Sequence, residues 1–257
     1  MSIFADLYNY RELLKSNIKK EIRGKYKGSF LGVLWSFINP LLTVSIYAII
    51  FPYIMRVQDD NYLIFLICGV IPWTFFTTVM NQGMISIRMN AGIIKKVYFP
   101  REILPISVAM SGLVNFFISC LIILAFCVVG GLGVSWHLLL LPFVAFIQFC
   151  FTLGLILALS AINIYIKDTE YLVLFIVNML FYATPVLYSA SLFPENIRWV
   201  LYLNPMAGII DAYRNIFMYH QLSSFSSWLY MIIVSLFVLV VGLAIFKKLQ
   251  KGFAEEL

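Results

Sequence analysis

The sequence predicts an all-α integral membrane protein with six transmembrane helices. Of the 257 residues, 62% are hydrophobic and only 12% are charged, and the mean hydropathy is +0.94. A soluble domain of ordinary composition carries about twice that share of charged residues. Apolar runs long enough to cross a bilayer recur along the chain. The first thirty residues contain no uninterrupted apolar core of the kind a cleavable signal peptide has. We therefore expect this N-terminal segment to remain and to have a structural role.

Six segments are long enough to span the membrane. A bilayer core of about 30 Å requires about 20 helical residues. The predicted spans run from about Leu34 to Met55, Tyr62 to Met80, Leu104 to Val129, Leu138 to Ile166, Tyr171 to Tyr188 and Trp228 to Phe246. The fourth is long enough to tilt or to project beyond the bilayer. Residues 34–257 are therefore expected to form a single six-span domain.

The basic residues set the orientation of these spans. With six crossings, all but three of the 18 lysines and arginines fall on one side of the membrane. The three exceptions are Arg56, Arg198 and Arg214. The positive-inside rule places the basic side in the cytoplasm, and both chain termini lie on that side.

The segment before the first span is predicted to be an amphipathic helix. Its apolar residues recur every three or four positions, at Ile3, Leu7, Tyr10, Leu14, Ile18 and Ile22. The basic residues Arg11, Lys15, Lys19 and Arg23 fall on an adjoining face. A helix of this kind lies in the membrane interface with its basic face toward anionic headgroups. Residues 1–33 are therefore expected to form a cytoplasmic interfacial helix and its lead-in.

A second non-spanning region, at about residues 189–227, lies on the outer side. It contains two short helical patterns separated by Asn204-Pro205, which should end the first helix. Asp211 and Arg214 are three residues apart and can form a salt bridge on one helical face. A re-entrant helical hairpin dipping into the outer leaflet fits this pattern best. A surface loop with two interfacial helices is the alternative.

The spans contain none of the groups on which coupled transport or catalysis usually depends. With the boundaries above, they hold no Asp, Glu, Lys, Arg or His. This weighs against a secondary transporter, because coupling ions need intramembrane ionisable groups or interrupted helices. Polar residues in the spans, such as Asn115, Asn163 and Asn178, are interpreted as hydrogen-bonding neighbouring helices.

The motifs that would indicate an enzyme are also missing from the sequence. No G-x-x-x-x-G-K-[ST] phosphate loop is present, so the chain cannot hydrolyse ATP by that route. The four cysteines and two histidines lack metal-ligand spacing, and no Ser-His-Asp or Cys-His arrangement stands out. We therefore expect no catalytic site, no metal site and no cofactor in this chain.

The segment at about residues 82–103, between the second and third spans, is too apolar for a solvated loop. It includes Ile94, Tyr98 and Phe99 among lysines and an Arg-Glu pair, and Phe99-Pro100 disfavours continuation of a helix. An apolar-aromatic tip with flanking charges suits docking into a groove on another protein. An interfacial helix with ordinary positive-inside anchors explains the same stretch, and from these residues alone both interpretations stay open.

Three stretches resemble one protein family. They are RGKYKGSFLGVLWSFINPLL (Arg23–Leu42), VYFPREILPIS (Val97–Ser107) and YLNPMAGIIDAYRNIF (Tyr202–Phe217). Their sequences, order and topological positions are similar to those of the ABC-type polysaccharide export permeases, which move O-antigen, capsule or teichoic-acid chains out of bacteria. The resemblance covers nearly the whole chain.

The resemblance implies an assembly and a cargo. It implies a homodimeric permease in the bacterial inner membrane, joined by two copies of a separate ATPase subunit that binds ATP and Mg. The expected cargo is a lipid-linked polysaccharide, and no nucleic acid partner is expected. A permease for a drug or lipid is a close alternative. A multispan glycan-modifying membrane enzyme and a non-transporting scaffold are alternatives from other classes.

The resemblance also implies roles for particular residues. The expected contacts with the ATPase are Ile94, Lys95, Lys96, Tyr98, Phe99, Arg101 and Glu102. Arg23, Lys25, Lys27 and Trp35 would lie at a lateral entrance and meet the headgroup of the lipid-linked glycan. General attraction to anionic lipid explains the basic residues equally. Ring faces stack on sugars, so Tyr182, Tyr188, Trp199 and Tyr202 are candidates for a sugar path, whereas most other rings belong to interfacial belts and packing.

Overall fold

The computed structural model describes residues 7–24, 30, 32–55 and 61–257, with the backbone alone at residues 33, 36–37, 51–55 and 254. These parts of the chain form helices joined by short turns, and no strand occurs among them. The helices are α1 (Arg11–Gly24), α2 (Trp35–Met55), α3 (Tyr62–Met89), α4 (Ala91–Ile94), α5 (Ile103–Val129), α6 (Leu141–Tyr165), α7 (Thr169–Ala183), α8 (Glu195–Arg198), α9 (Pro205–Arg214), α10 (Phe225–Leu249) and α11 (Phe253–Glu256). Short 3-10 turns are Gly32–Leu34, Trp136–Leu140, Ala190–Leu192, Leu201–Leu203 and Gln250–Gly252, and Asn215–Tyr219 is a π-helical turn.

Within the described residues, four helical stretches are long and apolar enough to cross a bilayer. They are Tyr62–Met89, Ile103–Val129, Trp136–Tyr165 and Phe225–Gly252, and they correspond to predicted spans two, three, four and six. The first and fifth predicted spans are also apolar helices, α2 and α7, although α7 has only 15 residues. The all-helical membrane class is confirmed, and the six-span arrangement stays a prediction.

The end of the second span differs from the prediction. The prediction placed this end at Met80, where the apolar run stops, but α3 continues to Met89. Hydropathy marks where a helix leaves the apolar layer. The helix itself continues until it reaches residues with low helix propensity. Asn90 ends the helix and donates its side-chain amide to the Ser86 carbonyl at 2.8 Å. The helix is therefore longer than its apolar part.

The fifth predicted span ends earlier than expected, at Ala183 instead of Tyr188. Thr184 precedes Pro185 and has a ψ of 139°. A proline imposes this extended conformation on the residue before it, because its ring clashes with a helical predecessor. The backbone that follows leaves the helix and exposes its carbonyl oxygens to other parts of the chain.

α9 lies inside the bundle rather than on its surface. Seven of its ten residues are buried. Asn204 caps the helix by accepting a hydrogen bond from the Met206 amide at 3.1 Å, and Pro205 occupies the first turn. Tyr213 donates to Gln148 of α6 at 2.9 Å, and Gln148 donates to the Pro72 carbonyl of α3 at 2.8 Å. This burial favours the hairpin interpretation over an exposed loop.

α6 and α10 cross in close contact because each carries a glycine at the crossing. A β-carbon added at Gly242 would lie 2.0 Å from the carbonyl oxygen of Gly154. One added at Gly154 would lie 2.6 Å from the α-carbon of Leu239. Small residues allow two helix backbones to approach this closely, and packing contacts of this kind stabilise helices in membranes.

We expect Gly242→Ala to lower the melting temperature of the purified protein, because the new methyl group meets backbone that cannot move aside. Overpacking of this kind costs about 1–3 kcal/mol. The matched control is Gly92→Ala, because a β-carbon at Gly92 meets nothing within 4 Å. Equal melting temperatures for the two variants would show that the helix crossing is looser than described.

Candidate functional site

A groove lies between α2, α3 and α5. Its volume is about 370 Å³. It is lined by Trp35, Asn39, Pro40, Ile71, Thr74, Phe75, Thr78, Gln82, Gly112, Asn115, Phe116 and Ser119. None of these lining residues is ionisable. As far as the described residues line it, the groove therefore combines amide and hydroxyl groups with aromatic rings and carries no formal charge.

The polar residues of the groove lie in rows along the three helices. These rows are Trp35 and Asn39 on α2, Thr74, Thr78 and Gln82 on α3, and Asn115 and Ser119 on α5. Members of a row are four residues apart, so they share one helical face. This four-residue spacing is visible in the sequence, but Asn115 was interpreted there as a helix-packing residue.

The chemistry of the groove suits a neutral ligand with many hydroxyl groups. Amides and hydroxyls both donate and accept hydrogen bonds. The Thr74 hydroxyl donates to the Val70 carbonyl at 2.8 Å and keeps its capacity to accept. The ring of Trp35 is 37% exposed and adds an apolar face, whereas Phe75 and Phe116 are buried and stack on each other at 5.2 Å. We find in this groove the combination of hydrogen bonds and flat apolar surface that a sugar ring requires.

A second cavity, the α1 cavity, adjoins the groove at Gln82, which lines both. Its volume is also about 370 Å³. It is lined by Asn17, Lys20, Glu21 and Gly24 of α1, by Gln82, Ile85, Ser86, Met89 and Asn90, and by Leu104, Ser107 and Val108 of α5. The Lys20 ammonium donates to Asn90 Oδ1 at 3.1 Å. The α1 cavity thus has one lysine and one glutamate, whereas the described lining of the groove is uncharged.

The predicted entrance residues have different positions. Trp35 lines the groove, and Arg23 is exposed on α1 outside the lining of both cavities. Lys25 and Lys27 lie outside the described residues. Sequence reasoning missed Lys20, which falls with Asn17 and Gly24 at helical spacing on one face of α1. That spacing was the available signal, but several neighbouring lysines obscured it.

Part of the predicted docking segment forms an exposed surface, the 89–98 surface. Its members are Met89, Ile93, Lys95, Lys96, Val97 and Tyr98, all exposed. The Tyr98 side chain is 90% exposed. An exposed apolar patch with a charged rim is typical of a surface that another protein covers.

Three residues predicted to contact a partner are instead buried within this chain. Ile94 is 6%, Phe99 6% and Glu102 7% exposed in this chain, so their direct contact with a partner stays a prediction. The sequence pattern marks the segment as apolar but does not say which residues face the chain's own core. These three residues support the 89–98 surface from beneath.

The segment is joined to the C-terminal end of the chain. The Arg101 guanidinium donates to the Gln250 carbonyl, and Gln250 Nε2 donates to Glu102 Oε1 at 3.1 Å. Phe253 is fully buried, packs edge-on against Phe246 at 5.5 Å, and lies 5.6 Å from the Arg101 guanidinium. The segment is therefore in direct contact with the residues that follow α10.

A second connection joins the same end of the bundle to α7. Arg88 at the end of α3 pairs with Glu170 at the start of α7. Arg88 and Glu170 are both partly exposed, so their ion pair contributes modestly to stability. The pair joins α3 to α7. At the same end of the bundle, Tyr165 of α6 donates to the Leu249 carbonyl of α10 at 2.8 Å.

The four rings predicted to line a sugar path lie away from the groove. Tyr182 and Trp199 are exposed, and Tyr188 donates to the Tyr182 carbonyl at 2.9 Å. Tyr202 donates to Asp211 Oδ2 at 2.7 Å. Burial and the Asp211 carboxylate raise the pKa of the Tyr202 phenol, so it stays protonated and donates. Their part in a sugar path stays a prediction.

Arg214 anchors α9 to the chain that follows α7. Its side chain is 2% exposed, and the Asp211 carboxylate lies 3.4 Å from Nη1. Nη1 donates to the Pro185 carbonyl and Nη2 to the Val186 carbonyl, each at 2.7 Å. The guanidinium also stacks 3.5 Å from the centre of the Phe65 ring. The predicted Asp211–Arg214 pair is present, and the carbonyls freed by Pro185 are its neighbours.

The family of the chain follows from comparison with known proteins. The family model described as ABC-2 type transporter matches residues 12–218. The chain belongs to the ABC-2 type transporter family. This membership confirms the resemblance inferred from the three stretches, and it makes the chain a transport component of the membrane rather than an enzyme.

Several curated relatives of this ABC-2 transporter chain match it almost from end to end. It is 36% identical to the O-antigen export system permease protein RfbA of Myxococcus xanthus, over 99% of both chains. It is 39% identical to the protein of the same name from Klebsiella pneumoniae, over 96% of this chain and 95% of that one. The polysialic acid transport protein KpsM of Escherichia coli is 23% identical over 91% of this chain and 92% of its own length.

Proposed function

We propose that this chain is the permease subunit of an ATP-driven exporter that moves a lipid-linked polysaccharide across the bacterial inner membrane. The observation that carries the proposal is the uncharged groove, in a member of a transporter family whose similar relatives are named for O-antigen export. A sugar chain must slide through its path, so it needs weak, repeated hydrogen bonds and ring faces rather than fixed charges.

The headgroup of the lipid carrier is proposed to enter by the α1 cavity. A phosphate group needs a cation, and Lys20 provides one beside the groove, with Arg23, Lys25 and Lys27 on or after the same helix. Gln82 lines both cavities, so it marks the junction between headgroup and glycan. Attraction of these basic residues to ordinary anionic lipid remains the alternative explanation.

The proposed topology has six spans, with α2 and α7 as the first and fifth. α7 measures about 22 Å at 1.5 Å per residue, so it reaches across most of a bilayer core of about 30 Å. The segment of residues 189–227 is proposed to enter from the outer side as a re-entrant hairpin, which the burial of α9 supports. Both termini then lie in the cytoplasm, on the basic side of the chain.

The working unit is proposed to be a homodimer with two copies of a partner ATPase. ATP and Mg bind to that partner, because this chain has no phosphate loop. The 89–98 surface is proposed as its docking site, with Tyr98 as the apolar contact and Lys95 and Lys96 as the charged rim. Arg101, Glu102 and Phe253 then carry the movement to the spans.

The experiment that tests this function is deletion of the gene in its host. We expect glycan to disappear from the cell surface and lipid-linked glycan to accumulate in the cytoplasmic leaflet, because synthesis continues without export. The wild-type gene supplied in trans should reverse both effects. Fluorescent lectin labelling of intact and permeabilised cells measures them. Unchanged surface glycan in the deletion strain would contradict the proposal.

A further inference from the structure

A third cavity lies at the opposite end of α3 from the α1 cavity. Its volume is about 230 Å³. It is lined by Phe65, Ser189, Ala190, Ser191, Arg198, Tyr202, Asp211, Arg214, Asn215 and Tyr219. Phe65 belongs to the first turn of α3, and the other residues belong to the segment proposed as the re-entrant hairpin. In contrast to the groove, this cavity is charged.

Two buried donors at this cavity have no acceptor. Arg214 is nearly completely buried, and its two terminal nitrogens are used by the Pro185 and Val186 carbonyls, but its Nε has no hydrogen-bond partner within the described residues. The buried Nε of Arg198 also has no hydrogen-bond partner within the described residues, whereas Nη2 of Arg198 donates to the Phe193 carbonyl at 3.1 Å. A buried donor left unpaired destabilises the folded state. Two such donors on one cavity indicate that an acceptor belongs there.

The charge balance indicates which kind of acceptor. Among the described residues, the lining of the cavity has two guanidinium groups and one carboxylate. Asp211 already accepts from Tyr202 at 2.7 Å and lies 3.4 Å from Arg214 Nη1. Its oxygens are therefore engaged, and one positive charge remains uncompensated. Guanidinium groups bind planar oxyanions strongly, through charge-assisted hydrogen bonds.

We infer that this cavity binds a carboxylate or phosphate group, with the guanidinium groups of Arg198 and Arg214 as its cationic partners. Ser189 and Ser191, whose hydroxyls lie 2.8 Å apart, add further donors at the rim. Either an acidic sugar or the headgroup of an anionic lipid supplies this chemistry. The placement of the cavity on the outer side of the membrane rests on the proposed function. The inference that it binds an anion rests only on its lining residues.

The experiment measures the melting temperature of the purified full-length permease in dodecyl maltoside micelles. In one arm the protein is titrated with glucuronate, with glucose as the neutral control. In the other arm the micelles contain phosphatidylglycerol, with phosphate-free diacylglycerol as the control. A ligand that binds only the folded protein raises the melting temperature. The variant is Arg198→Gln, because Arg198 is only partly buried, and Lys248→Gln, at an exposed position on α10, is the control.

We expect glucuronate or phosphatidylglycerol to stabilise the wild type and Lys248→Gln, while the neutral compounds do not. Arg198→Gln should bind the same anion at least about tenfold more weakly, because it loses a charge-assisted hydrogen bond. A response to glucuronate alone identifies a sugar acid, and a response to phosphatidylglycerol alone identifies a lipid headgroup. No response to either anion, or an equal response in Arg198→Gln, would overturn the inference. The assay involves no ATPase and no transport, so it can fail while the proposed function holds.

Discussion

Tyr98→Ala is expected to release the partner ATPase from the permease and to abolish export, while the permease itself keeps its melting temperature. The Tyr98 side chain is 90% exposed on the 89–98 surface, so its removal leaves the folded chain unchanged. Truncation of a central aromatic residue in an interface costs about 2 kcal/mol or more, which weakens binding about thirtyfold. Co-purification of the ATPase with tagged permease in mild detergent measures the loss.

Phe99→Ala is the matched comparison, because the neighbouring ring is buried. Its side chain is 6% exposed, and removal of a buried phenylalanine costs about 3–5 kcal/mol of stability. We expect this variant to melt at a lower temperature and to be recovered in smaller amounts. If Tyr98→Ala retained the ATPase at wild-type level, the 89–98 surface would not be the docking site. If Phe99→Ala were as stable as the wild type, the internal role of this residue would be wrong.

Thr78→Trp is expected to reduce surface glycan to the level of a strain without the permease. Thr78 lies in the middle of the groove row on α3, so an indole there fills the space available to a sugar chain. Thr78→Val, which removes only the hydroxyl, should cause a partial loss. Quantitative lectin labelling of intact cells measures export, and the amount of permease in the membrane is measured in parallel.

The neighbouring residue provides the control for this prediction. Thr77 is partly buried like Thr78 but lies outside the groove lining, and its hydroxyl is 3.3 Å from the Thr74 carbonyl. Thr77→Trp adds the same bulk to the same helix, so it corrects for effects on folding and insertion. Equal export by the two tryptophan variants, at equal membrane levels, would mean that the glycan does not pass through the groove.

Much of the fold could be predicted because membrane helices follow composition and periodicity. The apolar and basic spacing before Leu34 predicted α1, and Asn204-Pro205 predicted the start of α9. Hydropathy could not locate the end of α3, because that helix continues past its apolar part to Met89. Thr184-Pro185 marks the end of α7, but the apolar run from which this span was predicted continues to Tyr188.

The site was harder to predict because it depends on which side of each helix faces which neighbour. Asn163 is buried and its amide lies 3.4 Å from the Met84 carbonyl, in agreement with a role in helix packing. Asn115 has the same residue type in the same kind of span, yet it lines the groove. Glu102 meets Gln250 across nearly the whole sequence, and local pattern carries no information about such a contact.

The central claim is that the glycan passes through the groove, and site-specific photocrosslinking tests it most directly. A benzophenone amino acid replaces Trp35, an aromatic residue that lines the groove, and, as the control, Phe237, which is 66% exposed on α10. After irradiation of living cells, we predict a ladder of glycan-bearing permease at position 35, present only when the glycan is synthesised, and none at position 237. Adducts with lipid alone at both positions, or equal glycan adducts at both, would contradict the assignment of the groove as the export path.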